Sequence, residues 1–123
     1  MKTSLLIGRA LALAVGIAED KIDRIEETDW YDPTTNWSLG GPLIEKYNIS
    51  VIAYAGEWRA TNGEYVVEEA YEFCPYENNK VCAGYGNEYG PTPLVAAMRC
   101  LVAFKIGNEV RLPPELEKYY ATA

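Results

Sequence analysis

The chain contains no histidine. That removes the usual general base near neutral pH, the Ser-His and Cys-His nucleophile pairs, and the commonest metal ligand. A hydrolase is the class most directly disfavoured. Cysteine is scarce: Cys74, Cys82 and Cys100 are the only three, and none stands in a Cys-x-x-Cys pair. Zinc and thioredoxin-like redox chemistry therefore lack a motif, and neither a metal nor a cofactor is expected. Free thiols are favoured by the odd count. Cys74 and Cys82 nevertheless flank the turn-forming stretch Tyr76-Glu77-Asn78-Asn79-Lys80, where a hairpin would bring them close. Basic residues are also short, 11 against 18 acidic, for a net charge of −7. That balance argues against a nucleic-acid polymer or an anionic membrane as partner, because both need clustered Lys and Arg. A small anion remains open, since one or two local arginines hold it.

Long apolar runs are missing too. Lys2, Leu5-Leu6-Ile7 and the stretch from Ala10 to Ala18 mimic a signal peptide, but Arg9 interrupts them. What remains is too short to span a bilayer. Leu6, Ala10, Leu13 and Ile17 recur at helical spacing instead, which predicts an amphipathic first helix capped by Thr3 or Ser4 and ending near Ala18. A cytoplasmic protein is the expectation. Apolar residues make up 49% of 123 residues, enough for one domain, 1–123, with a real core.

After a charged stretch from Glu19 to Thr28 comes an aromatic loop, Asp29-Trp30-Tyr31-Asp32-Pro33-Thr34-Thr35-Asn36-Trp37-Ser38. Asp32-Pro33 marks a turn. Gly40-Gly41-Pro42 then reads as the entry to a short helix through Leu43, Ile44 and Tyr47, because proline suits a first helical turn. Ile49 to Tyr54 is β-branched and aromatic, as strands are. Trp58 to Thr61, Asn62-Gly63, and Glu64 to Val67 carry a hairpin signal. Ala70 to Phe73 and Val81 to Tyr85 are further strand candidates. Gly90-Pro91-Thr92-Pro93 opens a second glycine-proline helix, running to Ile106. Leu94, Val95, Met98, Leu101, Val102 and Phe104 cover most of its circumference, which predicts burial, and Cys100 there reads as a small core residue. Gly107-Asn108 is its stop, Val110 to Leu112 an edge strand, and Glu115 to Ala123 a solvent-side helical turn. The predicted fold class is α+β: a small, mainly antiparallel sheet packed on a buried C-terminal helix and an N-terminal helix.

The chemistry-bearing residues each allow two readings. The two glycine-proline helix starts are either well-formed ends or anion-facing ends, since a free helix N-terminus favours negative charge. Thr92 either caps its own helix or turns its hydroxyl to a ligand. Arg99 lies in the most apolar helix, so it either pairs with an acid such as Glu45 or Asp29 or holds a phosphate or carboxylate. Arg59 is the alternative source of charge. Trp30, Trp37, Trp58, Tyr54 and Tyr85 are either core aromatics or platforms for a planar ring. Glu26-Glu27 and Glu68-Glu69 are neighbours that point apart, so neither pair makes an acid/base dyad.

Gly8-Arg9-Ala10-Leu11, the segment from Trp37 through Gly-Gly-Pro-Leu-Ile-Glu45, Gly90-Pro-Thr-Pro-Leu-Val-Ala-Ala-Met-Arg99, and Gly107-Asn-Glu-Val110 together resemble the bacteriophage NinX-type family of small proteins. The tyrosine-rich region from Ala55 to Glu88 carries none of that resemblance. The resemblance implies a phage or prophage gene and a cytoplasmic protein, with no established reaction. The expected function is non-catalytic binding of a small phosphate-bearing, nucleotide-like molecule, as in a sponge for a host immune signalling nucleotide. The ligand-binding candidates are Thr92, Arg99, Trp37, Trp58, Arg59 and Tyr85. The alternatives are an acidic protein-binding inhibitor and a histidine-independent enzyme. A homo-oligomer, most simply a dimer, is expected, because the aromatic supply exceeds what one small core uses.

Overall fold

The computed structural model describes residues 1–62 and 87–112. Tyr85, Cys74, Cys82, the segments from Glu64 to Val67, Ala70 to Phe73 and Val81 to Tyr85, and the tail from Glu115 lie outside them.

The first helix does not begin at Thr3. Thr3 to Leu5 form a 3-10 turn, the chain then extends through Ile7, and helix α1 runs over Gly8–Ala18. The reason lies at the other end of the chain. The buried Thr3 hydroxyl donates to the Gly107 carbonyl at 2.6 Å, and the Thr3 N–H donates to Asn108 at 2.9 Å. Its hydroxyl is thus committed away from any helix cap. The Val110 N–H donates to the Met1 carbonyl at 2.8 Å, and Lys2 bridges to Glu109. In the Val110 to Leu112 stretch, Val110 and Leu112 are therefore buried beside a single bridge, and the stretch is not an edge strand.

Helix α2 spans Trp37–Lys46, so Gly40-Gly41-Pro42 lies inside it. Asn36 overrides the proline signal as a start: its side-chain oxygen accepts from the Ser38 N–H at 2.9 Å. Gly40 is there for space. A Cβ at that position would lie 2.5 Å from the Pro33 carbonyl oxygen and 2.6 Å from Leu94.

Strands β1 (Ile49–Tyr54), β2 (Glu57–Asn62) and β3 (Asn87–Gly90) form an antiparallel sheet in the order β1-β2-β3. The tight turn of this sheet is Ala55-Gly56, with φ of 50° and 87°, between the paired residues Tyr54 and Glu57. Positive φ at both positions suits the right-handed twist of a two-residue hairpin. Gly63 and the partner strand expected across Asn62-Gly63, Glu64 to Val67, lie outside the described residues. Trp58 to Thr61 is flanked by β1 on one side and β3 on the other.

Helix α3, Pro93–Lys105, lies across the sheet and buries Leu94, Val95, Met98, Cys100, Leu101 and Val102. It packs on α1, whose Leu11, Leu13 and Val15 are fully buried. This is the compact α+β arrangement expected from the apolar circumference of α3. Phe104, by contrast, is an exposed position. Among the described residues, no helix is long and apolar enough to cross a membrane.

Candidate functional site: a cleft at the helix starts

The starts of the helices meet. Gly8 at the head of α1, Thr34, Thr35 and Trp37 at the head of α2, and Pro91 and Thr92 at the head of α3 line one cleft of about 430 Å³. Its other walls are aliphatic.

Each wall is held by local chemistry. Asp32 fixes the loop into α2: its carboxylate accepts from the Thr34 N–H at 3.1 Å, the Thr34 hydroxyl at 2.5 Å and the Thr35 hydroxyl at 2.9 Å. This is the usual way aspartate stabilises a turn. Asn36 then closes the helix start. Trp37 is left 57% exposed at the rim, an aromatic face with room for a planar partner. Across the cleft, Thr92 caps α3 by accepting from the Val95 N–H at 3.1 Å, and Pro93 fills the first turn. Among the described residues, the Thr92 hydroxyl hydrogen has no acceptor. Gly90 brings β3 against this end. A Cβ there would lie 2.7 Å from the Ala96 nitrogen. On the third side, Ile7 offers α1 no side-chain cap. Helix starts carry N–H groups without helical partners, so a cleft lined by three of them and by apolar side chains suits a ligand with one anionic and one flat apolar part.

Of the six residues singled out from the sequence, Trp37 and Thr92 come together here. Arg99 does not line the cleft. Its Nε donates to the Leu6 carbonyl at 2.8 Å, and its other guanidinium donor reaches the Tyr89 carbonyl at 2.7 Å. The expected partner acids are corrected: Asp29 pairs with Arg9 at 3.2 Å, and the acids acting on Arg99 are Glu88 and Glu57. Burial lowers the Arg99 pKa against those two carboxylates. Burial likewise raises that of Glu88, against the pull of Arg99. Trp58 and Arg59 are neighbours in β2, so their side chains leave opposite faces of the sheet. Trp58 packs toward the core, while the Arg59 Nε donates to the Asn87 side-chain oxygen at 3.2 Å. Neither lines the cleft, and Tyr85 lies outside the described residues.

Sequence reasoning missed Gly8, Thr34 and Thr35. The available signal was Asp32-Pro33-Thr34-Thr35-Asn36, in which an aspartate turn runs directly into an asparagine cap.

The chain is thus a small α+β protein whose helix starts open together on one cleft. The family model described as bacteriophage P22, NinX matches residues 2–105, and the chain belongs to that family of phage-encoded proteins. A search of the curated proteins finds no match to it.

Proposed function

We propose that the protein binds a small phosphate-bearing, nucleotide-like molecule in this cleft and does not turn it over. One observation carries the reading: the heads of α1, α2 and α3 converge on the same opening, beside an exposed Trp37. Helix starts favour anions, through unpaired N–H groups and the helix dipole. The indole is a stacking surface that accepts any base. The lack of histidine across the chain supports binding without catalysis. In an infected bacterium such a protein would act as a sponge, withdrawing a host signalling nucleotide from its receptor.

The test is calorimetry against cyclic dinucleotides, cyclic oligonucleotides and cyclic ADP-ribose isomers, with recovery of the unchanged ligand afterwards. Trp37→Ala is the informative variant, because an exposed ring can be removed without opening the core. Loss of one base stack contributes about 1–3 kcal/mol. Binding should therefore weaken roughly tenfold to hundredfold. No binding across the panel would move the function to a protein partner met by the acidic surface. A new product would make the protein an enzyme.

A further inference from the structure

The two edges of the sheet are treated differently. At β3, the Arg99 guanidinium reaches over from α3 and takes the Tyr89 carbonyl at 2.7 Å. At β1 nothing comparable happens: among the described residues, no strand pairs with its other edge. The pairing of Tyr54 with Glu57 across a two-residue turn makes that pair the hydrogen-bonded one. Ser50, Ile52 and Tyr54 therefore bond to β2, and Ile49, Val51 and Ala53 turn their N–H and C=O groups outward. An open edge is a template for another strand. Proteins that keep such an edge free blunt it with lysine, proline or a bulge. β1 has none of these: Ile-Ser-Val-Ile-Ala-Tyr carries no charge, and its register with β2 is unbroken over all six residues.

We propose that this edge pairs with a second copy of the same chain, antiparallel about Val51, to make one continuous six-stranded sheet. Two arguments select a copy over another partner. The chain carries a net charge of −7, so two copies repel each other except where a neutral surface meets a neutral surface, and β1 is such a surface. The strand is also self-complementary. With the two-fold axis at Val51, the outward backbone groups of Val51 meet those of the partner's Val51, and those of Ile49 meet the partner's Ala53. On the outer face Ile52 lies opposite Ser50, so no like charges oppose each other. Ile52 and Tyr54, 44% and 49% exposed, gain cover from the added strand.

Light scattering and sedimentation on the full chain test this. The expected mass is twice the 13.7 kDa of one chain at micromolar concentration. Ala53→Pro removes an outward N–H without touching the bonds to β2, and should give the single-chain mass with an unchanged far-ultraviolet spectrum. Ile52→Lys keeps the test alive if the proline variant misfolds. It places a lysine opposite Ser50 of each partner and should also give monomer. Adding Ser50→Glu to Ile52→Lys should restore the dimer, since the new charges face each other only in the Val51-centred register. A wild-type monomer, or a dimer that both single variants leave intact, overturns the proposal. Failure of the paired change to restore assembly overturns the register.

Discussion

The Tyr47 hydroxyl donates a short hydrogen bond to the Glu19 carboxylate, whose side chain is only 1% exposed. The other oxygen of Glu19 accepts from the Lys46 ammonium at 3.0 Å. The Tyr47 ring in turn meets Phe104 edge-on at 5.8 Å, so this one acid joins the ends of α1, α2 and α3. Burial alone would raise the Glu19 pKa. The bonds from Tyr47 and Lys46 and the charges of Lys46 and Lys105 outweigh it and hold the pKa below its ordinary 4.5.

A carboxylate with a depressed folded-state pKa stabilises the fold above its unfolded pKa, and that contribution is lost as pH falls through the folded value. Wild-type stability should therefore decline below about pH 4.5, and Glu19→Gln should flatten that decline. At neutral pH Glu19→Gln should cost about 1.5–3 kcal/mol, the range for a hydrogen bond to a charged group. Urea denaturation across pH reads both. Parallel pH profiles for the two proteins would refute this role.

Leu101 is fully buried where α3 crosses the sheet. Leu101→Ala should destabilise by about 2–5 kcal/mol through lost burial and a residual cavity. A change below about 0.5 kcal/mol, the scale of a surface substitution, would contradict the packing.

Two glycines should respond unequally to alanine. Gly90→Ala drives a Cβ into the first turn of α3, with backbone atoms at 2.7 and 3.0 Å. It should cost about 1–3 kcal/mol, as overpacking does. At Gly41, beyond the adjoining residues and the helix backbone, an added Cβ meets only the Trp37 ring, at 4.0 Å. Gly41 precedes Pro42, whose ring crowds a Cβ on a helical residue before it, so the gain in helix propensity is offset and Gly41→Ala should change stability by less than about 0.5 kcal/mol. Thermal melting of the two variants compares them directly.

The Cys100 thiol is fully buried, and its pKa is pushed up to about 12, by burial first and by Glu88 second. Thiolate is the reactive form, so Cys100 should resist iodoacetamide in the native protein and alkylate after denaturation. Peptide mass spectrometry identifies the modified residue. Rapid native labelling at Cys100 would place α3 nearer solvent.

The parts legible in the sequence were those set by local pattern. The apolar circumference of α3, its Thr92-Pro93 start and the β-branched run of β1 each state their own structure. The errors arose where a distant contact decided. Thr3 looks like a cap until the Gly107 carbonyl takes its hydroxyl. Gly40-Gly41-Pro42 looks like a helix entry until Asn36 starts the helix earlier and Pro33 explains the first glycine. Ala55-Gly56 gives no hairpin signal on paper, yet it turns β1 into β2, and both sides of β2 are taken by β1 and β3. Trp37 and Thr92 were legible as polar-aromatic candidates. Their meeting with Gly8 was not, because only the tertiary arrangement brings three helix heads together.

The clasp between the first three residues and the stretch from Gly107 to Val110 has a consequence for the order of assembly. Thr3 finds its hydrogen-bond partner 104 positions along the chain, and Met1 finds its own 109 positions away. Contacts so distant in sequence carry a closure entropy that must be met before they give anything back, and they slow folding. The opening residues are thus placed late, once the stretch to Val110 is in position. Until residue 110 arrives, Leu6 and the head of α1 lack the strap that holds them down.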